Sequence, residues 1–565
     1  MQHLLARLQL ERAVVHNHSS VLAIGDQARI LAELREQRST PPDRGLAIVG
    51  EEQVSDILAL LEAEGNTTRA LGELSGLAIY PRSVVSDGGS LFFLGRQGIT
   101  RRLGILMPSG AEPTFDLVRR SVAVGGEHLV LGLGDANHAN ASALRARVSF
   151  MAPVPVGMRK SFGLGDRLGI ATPGHIRALR QTRGIFPVLA QQSIREMERA
   201  GRTPEQVMDS ATWGVLQEGW RAGYSADADH IKTEADIDAC VAAGFIGYTL
   251  DPRDHVDNAA QTDSLDTLAL KFDALPWPRL ATNPDAIRAD YLGKEWNLGG
   301  GRSLTLGKEE VLRAACKYGR ALAHLSAIYR HLEQTMNGRR FEVEISVDET
   351  DTPTSPGEHL FMARELERLG VKWVNLAPRY VGGFEKGVDY IGDLGTFEAE
   401  FGWHVAIARA LGPYKLSLHS GSDKFSIYPI MVRLAGDLVH VKTAGTSYLE
   451  ALRTVARTDP GLFRDILGLA IANYERDRVT YYVSAQLSKV PSPESLADEA
   501  LPQVLDAFDA RQALHVTFGT VLTAVDYNGD WLLRQRFFDS LETHEAAHYE
   551  ALEAQMIRHI GPFSD

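Results

Sequence analysis

The sequence predicts an α/β protein built on a (β/α)8 barrel of the TIM type, with an N-terminal α/β accessory region, an insertion before the fifth strand and a helical C-terminal tail. Three observations carry this. From about residue 158, short apolar runs ending in polar clusters alternate with amphipathic segments, the pattern of parallel βα units. Eight such runs follow in series, which favours a closed barrel over an open doubly wound sheet, although periodicity alone leaves the sheet open. Glycine ends several helical segments, the expected C-cap before the next strand.

Residues 1–157 mix strand-like runs (RGLAIVG, GLAIY, SLFFLG, RLGILMP, EHLVLGLGD) with helix-like ones (VSDILALLEAEG, EPTFDLVRRSVAVGG), giving the accessory region. Residues 158–455 hold the barrel. Its strands are expected in KSFGLGDRLG, IFPVLAQQS, WRAGYSADADHI, FIGYTLDPRD, FEVEISVDET, VKWVNLAPRY, YKLSLHSGSD and LVHVKTAGTS. Helices are expected in PGHIRALRQ, EQVMDSATWGVLQEG, EADIDACVAAG, SPGEHLFMARELERLG, FEAEFGWHVAIARALG, IYPIMVRLAG and YLEALRTVAR. One unit is swollen: residues 252–340, including KEEVLRAACKYGRALAHLSAIYRHLEQTM, read as a lid or subunit-contact insertion, so a homo-oligomer is compatible with the chain. Residues 456–565 turn mostly helical, a tail packed on the barrel's outside or rim.

With 565 residues, 44% of them hydrophobic and 23% charged, the chain can bury an ample core without staples. A net charge of −13 argues against a general nucleic-acid or anionic-membrane binder, which needs clustered Lys and Arg. Cys240 and Cys316 are too few for a disulfide framework or a thiolate zinc site. No apolar run is long enough to span a bilayer, and the N-terminus lacks a signal-peptide core, so a cytoplasmic location is expected.

Barrels of this type carry their chemistry at the C-terminal ends of the strands. Polar residues collect there: Asp166 and Arg167; Gln191 and Gln192; Asp227, Asp229, His230 and Lys232; Asp251 and Arg253; Glu344, Asp348 and Glu349; Arg379; His419, Ser420, Asp423 and Lys424; His440 and Lys442. Alternation along FEVEISVDET sends Glu342, Glu344, Ser346 and Asp348 inward and Val343, Ile345 and Val347 toward the helices. An inward carboxylate needs a cation, a metal or a proton beside it, and an interior Lys or Arg would serve as well as a metal. Three histidines terminate separate strands, His230, His419 and His440, and three imidazoles with an open position make a catalytic metal arrangement; each alone reads equally as a strand cap. Zinc, nickel and manganese all suit such ligands, so a divalent cation is the expected cofactor. Asp229 and His230 would face opposite sides of a regular strand, which predicts that the strand ends there and one side chain turns inward. Asp166, Arg167, Lys232, Arg379, Lys424 and Lys442 are the candidates for binding a substrate that carries a carboxylate or several hydroxyls.

HEAAH, residues 544–548, matches the zinc-protease pattern, but only Glu550, Glu553 and His559 follow as third-ligand candidates, and the match reads as chance in a helical tail. The glycine-rich GLGLGD and GLGDRLG lack dinucleotide-site spacing.

Together, KSFGLGDRLGIATPGH, SADADHIK, EISVDET, LSLHSGSDK and VHVKTAGTSYLEALR resemble the tagaturonate epimerase family, which interconverts tagaturonate and fructuronate and includes relatives acting on tagatose and fructose. The resemblance runs from about residue 158 to HVTFG and RHIGPF. It implies a metal-dependent sugar 4-epimerase on a barrel, with His230, His419 and His440 holding the metal and Asp229 and Glu344 as proton acceptor and donor. The chemistry supports such a site. In a 2-keto sugar acid C4 is β to the carbonyl, so simple enolisation cannot invert it, whereas retro-aldol cleavage and re-addition can; hydride shift and C3 deprotonation are the other routes. Two further classes remain: a metal-dependent aldolase or hydrolase on the same barrel, and a sugar-binding relative without chemistry.

Overall fold

The computed structural model describes residues 66–109 and 114–565. Each of the eight apolar runs holds one strand: β1 (Ser161–Leu164), β2 (Phe186–Ser193), β3 (Ser225–Ile231), β4 (Gly247–Leu250), β5 (Glu342–Ser346), β6 (Asn375–Ala377), β7 (Lys415–Leu418) and β8 (Val439–Thr443). They pair in chain order, all parallel, and β8 returns to β1 with His440 opposite Ser161 and Lys442 opposite Gly163, closing the barrel. Eight helices follow them: α1 (Thr172–Leu179), α2 (Pro204–Gln217), α3 (Glu234–Ala243), α4 (Lys308–Met336), α5 (Pro356–Arg368), α6 (Leu394–Leu411), α7 (Tyr428–Ala435) and α8 (Thr446–Thr458).

Local sequence sets the helix limits. Thr203 with Gln206, Thr233 with Asp236, and Ser355 with Glu358 form capping boxes that open α2, α3 and α5, satisfying backbone donors left free in the first turn. Gly244 closes α3 at φ 96°, where a side chain would be strained.

The long helix of the swollen unit is α4, which packs against α3 and α5 as the ring's fourth helix. What the unit adds is therefore the stretch before it, with helices Leu265–Asp273 and Pro284–Tyr291 and a hairpin of Glu295–Gly299 and Arg302–Thr305. Periodicity marks a helix as amphipathic without saying which neighbours cover it. A buried ion pair, Lys317 to Glu358 at 3.1 Å, ties α4 to α5. Lys317→Met should strand the Glu358 charge and lower the urea-unfolding midpoint by the equivalent of about 3 kcal/mol, with partial recovery when Glu358→Gln is added.

In the accessory region, six antiparallel strands form a sheet: Ala78–Ile79, Val85–Asp87, Ser90–Gln97, Thr100–Pro108, Val118–Val124 and Glu127–Asp135. EPTFDLVRRSVAVGG, expected as a helix, contains the strand Val118–Val124. Its valines alternate, and Val122 and Val124 are buried while Ala123 is exposed, the two-residue period of a half-covered strand. Phe92, Leu94, Leu103 and Ile105 share one core with Met208 and Trp213 of α2, so one sheet face is covered by the barrel's outer ring. The expected elements RGLAIVG and VSDILALLEAEG lie outside the described residues.

After α8, helices Pro460–Asp477, Phe508–Val516, Phe518–Thr523, Arg534–Thr543 and Glu545–Ile560 wrap the barrel, the last packing on α1 and α8. HEAAH serves this packing. The Nδ1 of His544 donates to the Ser540 carbonyl at 2.9 Å, Glu545 accepts from Tyr80 at 2.9 Å and pairs with Arg96, and His548 is buried.

The barrel's lumen is polar. At its N-terminal mouth, Glu342 accepts the backbone N–H groups of Val156 and Gly157, and the Lys415 ammonium donates to the Arg159 carbonyl at 3.0 Å and the Ser161 hydroxyl at 3.1 Å. Above this layer come Thr249, Glu344 and Lys442, and above those the C-terminal mouth.

Candidate active site

Lys442 stands at the centre of the lumen. It follows His440 by two residues on β8, so both point inward, with the histidine about 7 Å deeper along the strand. The Lys442 ammonium lies 2.6 Å from Asp227, 2.9 Å from Asp229 and 2.9 Å from Glu344, and donates to Thr249 at 2.5 Å. One cation thus faces three buried carboxylates. Burial disfavours its charge, but the three acids outweigh burial and raise Lys442 well above the usual lysine range.

The acids respond unequally. Burial pushes Asp229 and Glu344 up, yet Lys442 and the nearby imidazoles hold both below the carboxylate range. Asp227 goes the other way: burial and the charges of Asp229 and Glu344 raise it despite Lys442.

Two imidazoles sit over this layer. At the end of β3 the chain turns at His230, whose φ of 53° is left-handed, and the β3–β4 register slips beside it. The strand was expected to end at the Asp229–His230 pair; it runs on to Ile231, and the left-handed turn at His230 is what lets both side chains serve the mouth. His230 Nδ1 lies 2.9 Å from Asp251, which orients the ring and leaves Nε2 3.9 Å from Asp229. His419, one residue beyond β7, pairs with Glu344 through Nε2 and lies 3.1 Å from Asp348 through Nδ1. Burial disfavours its charge, but Asp348 and Glu344 raise it to about 10. The two rings meet edge to face, centroids 5.1 Å apart.

Ligand atoms of Asp229, His230 and His419 lie within 4.8 Å of one another, as do those of His230, Asp251 and Glu349. These donors fit a divalent cation: two imidazoles, that of His230 oriented by Asp251, a buried His419 Nδ1 with no well-directed hydrogen bond, and more carboxylate charge than Lys442 neutralises. His440 is not brought to them. Its Nδ1 lies 2.8 Å from Ser161 in the deeper layer, where burial pushes its imidazole down to about 3.

Above the imidazoles opens a cavity of about 390 Å³, lined by His419, Asp348, Arg379, Lys386 and Tyr481 among others, a size suited to a small ligand. It continues into an inner chamber of about 40 Å³ bounded by Gln191, Asp229, His230 and Lys442. Glu344 does not line either space. It faces a small void beneath, with Asp227 and His440, and touches the chamber only through Lys442 and His419.

The other expected binding residues divide. Arg379 lines the outer cavity, and Arg167 lines the chamber while pairing with Glu196 at 2.6 Å. Asp166 accepts three backbone N–H groups, from Leu168, Gly169 and Ala171, and so shapes the β1 loop. Lys424 donates to the Glu385, Val388 and Ser422 carbonyls, and burial pushes it down to about 7. Lys232 reaches Asp254 at 2.8 Å, outside the cavity. Sequence reasoning passed over Arg195, Lys386, Tyr481 and His515. The last two come from the C-terminal tail, and Lys386 lies nine residues past β6 in a loop, with no strand end to flag it.

Comparison with known proteins agrees with this architecture. A family model described as tagaturonate epimerase matches residues 80–562. The tagaturonate/fructuronate epimerase of Thermotoga maritima is 44% identical over 424 residues, 75% of this chain and 85% of that protein. The native crystal structure of the fructuronate-tagaturonate epimerase UxaE from Cohnella laeviribosi superposes with a TM-score of 0.80 at 36% identity, covering 91% of this chain and 99% of that one. A one-glycerol complex of the same enzyme gives the same TM-score over 89% of this chain. With a family match over most of its length and a relative at this identity, the chain belongs to the tagaturonate epimerase family.

Proposed function

We propose that the protein interconverts tagaturonate and fructuronate by inverting C4, with Asp229 and Lys442 moving the proton. The observation that carries this is the Lys442 ammonium bridging Asp229 and Glu344 at the floor of a chamber capped by two imidazoles. Asp229, kept ionised, accepts the C4 hydroxyl proton. The C3–C4 bonding pair passes to C3 and the C2 carbonyl oxygen, leaving an aldehyde at C4. Rotation of that aldehyde presents its other face, the bond reforms, and Lys442 returns a proton to O4, regaining one from Asp229 at 2.9 Å. Glu344, beneath, keeps Lys442 protonated between turnovers. His230 and His419, with Asp229, would hold a divalent cation, which supplies Lewis-acid polarisation of the ketone.

Purified protein given tagaturonate should form fructuronate with carbon number conserved; release of three-carbon fragments would assign it to the aldolases instead. Chelator should abolish turnover, and zinc, nickel or manganese should restore it. Substrate deuterated at C3 should keep its label, whereas C3 deprotonation would wash it into water.

A further inference from the structure

The cavity is polarised along its depth. At its floor Asp229 meets the single Lys442, and behind them, facing the void beneath, Asp227 and Glu344 contact the same ammonium. Its outer wall carries Arg195, Arg253, Arg379 and Lys386 alongside the acids Asp348, Glu349 and Asp351. Arg195, at 2.8 Å, and Arg253 both pair with Glu349, two guanidiniums on one carboxylate. Among the described residues, Lys386 and Arg379 have no carboxylate within ion-pair distance. The Lys386 ammonium donates to the Ser420 hydroxyl, beside His419, and Lys386 lines both the outer cavity and the inner chamber. The Arg379 guanidinium lies over the Tyr482 ring at 5.4 Å, and its buried Nε has no hydrogen-bond partner. A cation without a counter-charge at the edge of a closed site is held ready for an anionic ligand.

We infer that Lys386 and Arg379 form the subsite for the substrate's carboxylate, and that this subsite, not the reacting floor, makes the protein select sugar acids over neutral ketoses. The inference deepens the proposed epimerase reading and rests on it for the orientation of the substrate. A carboxylate directed to the floor would meet Asp229 and an ammonium already committed to three acids. Directed to the outer wall, it meets two unpaired cations, which leaves the ketone end beside Asp229, His230 and His419. Lys386 belongs to the loop after β6 and Arg379 to its start, so one loop carries both cations.

Calorimetry with fructuronate and with fructose, on wild type and on Lys386→Met, Lys386→Arg and Arg379→Met, tests this without requiring turnover. Wild type should bind the acid at least about tenfold more tightly than the neutral sugar. Lys386→Met and Arg379→Met should each weaken fructuronate roughly 10- to 100-fold and leave fructose within about twofold. Lys386→Arg, which keeps the charge, should retain most of the preference. Equal weakening of both sugars in the two Met variants, or a wild type that does not discriminate, overturns the inference. Absence of tagaturonate turnover with this binding pattern intact would sink the epimerase reading alone.

Discussion

Lys442→Met should be the most damaging single change in the barrel: activity lost by at least about 10³-fold and the fold destabilised by roughly 3–5 kcal/mol. The substitution keeps much of the side chain's bulk and removes only the ammonium. Asp227 and Asp229 then lie buried within a few ångströms of Glu344 without their shared ammonium, and Glu344 keeps only the His419 imidazole. Charge repulsion and desolvation act together, and the relief available to the protein is to take up protons. This fixes the sign of the pH dependence. In wild type, Asp229 and Glu344 are held below their ordinary values, so their stabilisation is complete above the unfolded carboxylate range and fades as pH falls through it. In the variant, burial without Lys442 raises these carboxyls above their unfolded values. The folded state then binds more protons, and stability should increase as pH is lowered from about 8 to about 5. Chemical unfolding at a series of pH values measures both slopes. A variant that keeps the wild-type slope would show that Lys442 does not neutralise this layer.

Asp229→Asn should reduce kcat by about 10³-fold while leaving the unfolding midpoint near that of wild type. An amide oxygen can still accept from Lys442, although its NH2 cannot replace the oxygen that accepts from Gln191, and an amide cannot take a proton from a hydroxyl. Asp227→Asn is the matched control. Asp227 contacts the same ammonium at 2.6 Å but faces the void beneath the chamber, so its loss should cost less than about tenfold. Steady-state kinetics on the two variants separates a group that meets substrate from one that only shares the charge. Equal losses would remove Asp229 from the proton path.

The family resemblance and the barrel were legible because they are written in local pattern. Eight apolar runs, each ending in polar residues, give eight parallel strands, and the motifs that mark the family lie along them. The inward face of FEVEISVDET followed from a period of two, and so did the need for Asp229 or His230 to leave the regular alternation of its strand, which His230 meets with a left-handed φ. Where local pattern was weaker than context, reading failed. VRRSVAV has a strand's alternation, yet the amphipathic stretch around it read as helix until a neighbouring strand was there to pair with it.

The sequence by itself determined which residue types stand at the strand ends, because side-chain direction along a strand needs no knowledge of the rest of the fold. Depth and pairing were decided only by tertiary structure. His440 and His419 look equivalent along the chain, but one lies within β8 and pairs with Ser161 in a deeper layer, while the other lies past β7 and faces the cavity. Lys442 became the centre of three acids from β3 and β5 because closing the barrel brings β8 across the lumen from them. Lys386 and Tyr481 joined the site from a loop and from the tail, across sequence distances that carry no periodicity. Electrostatic energy depends on separation in space, and only the closed fold sets those separations.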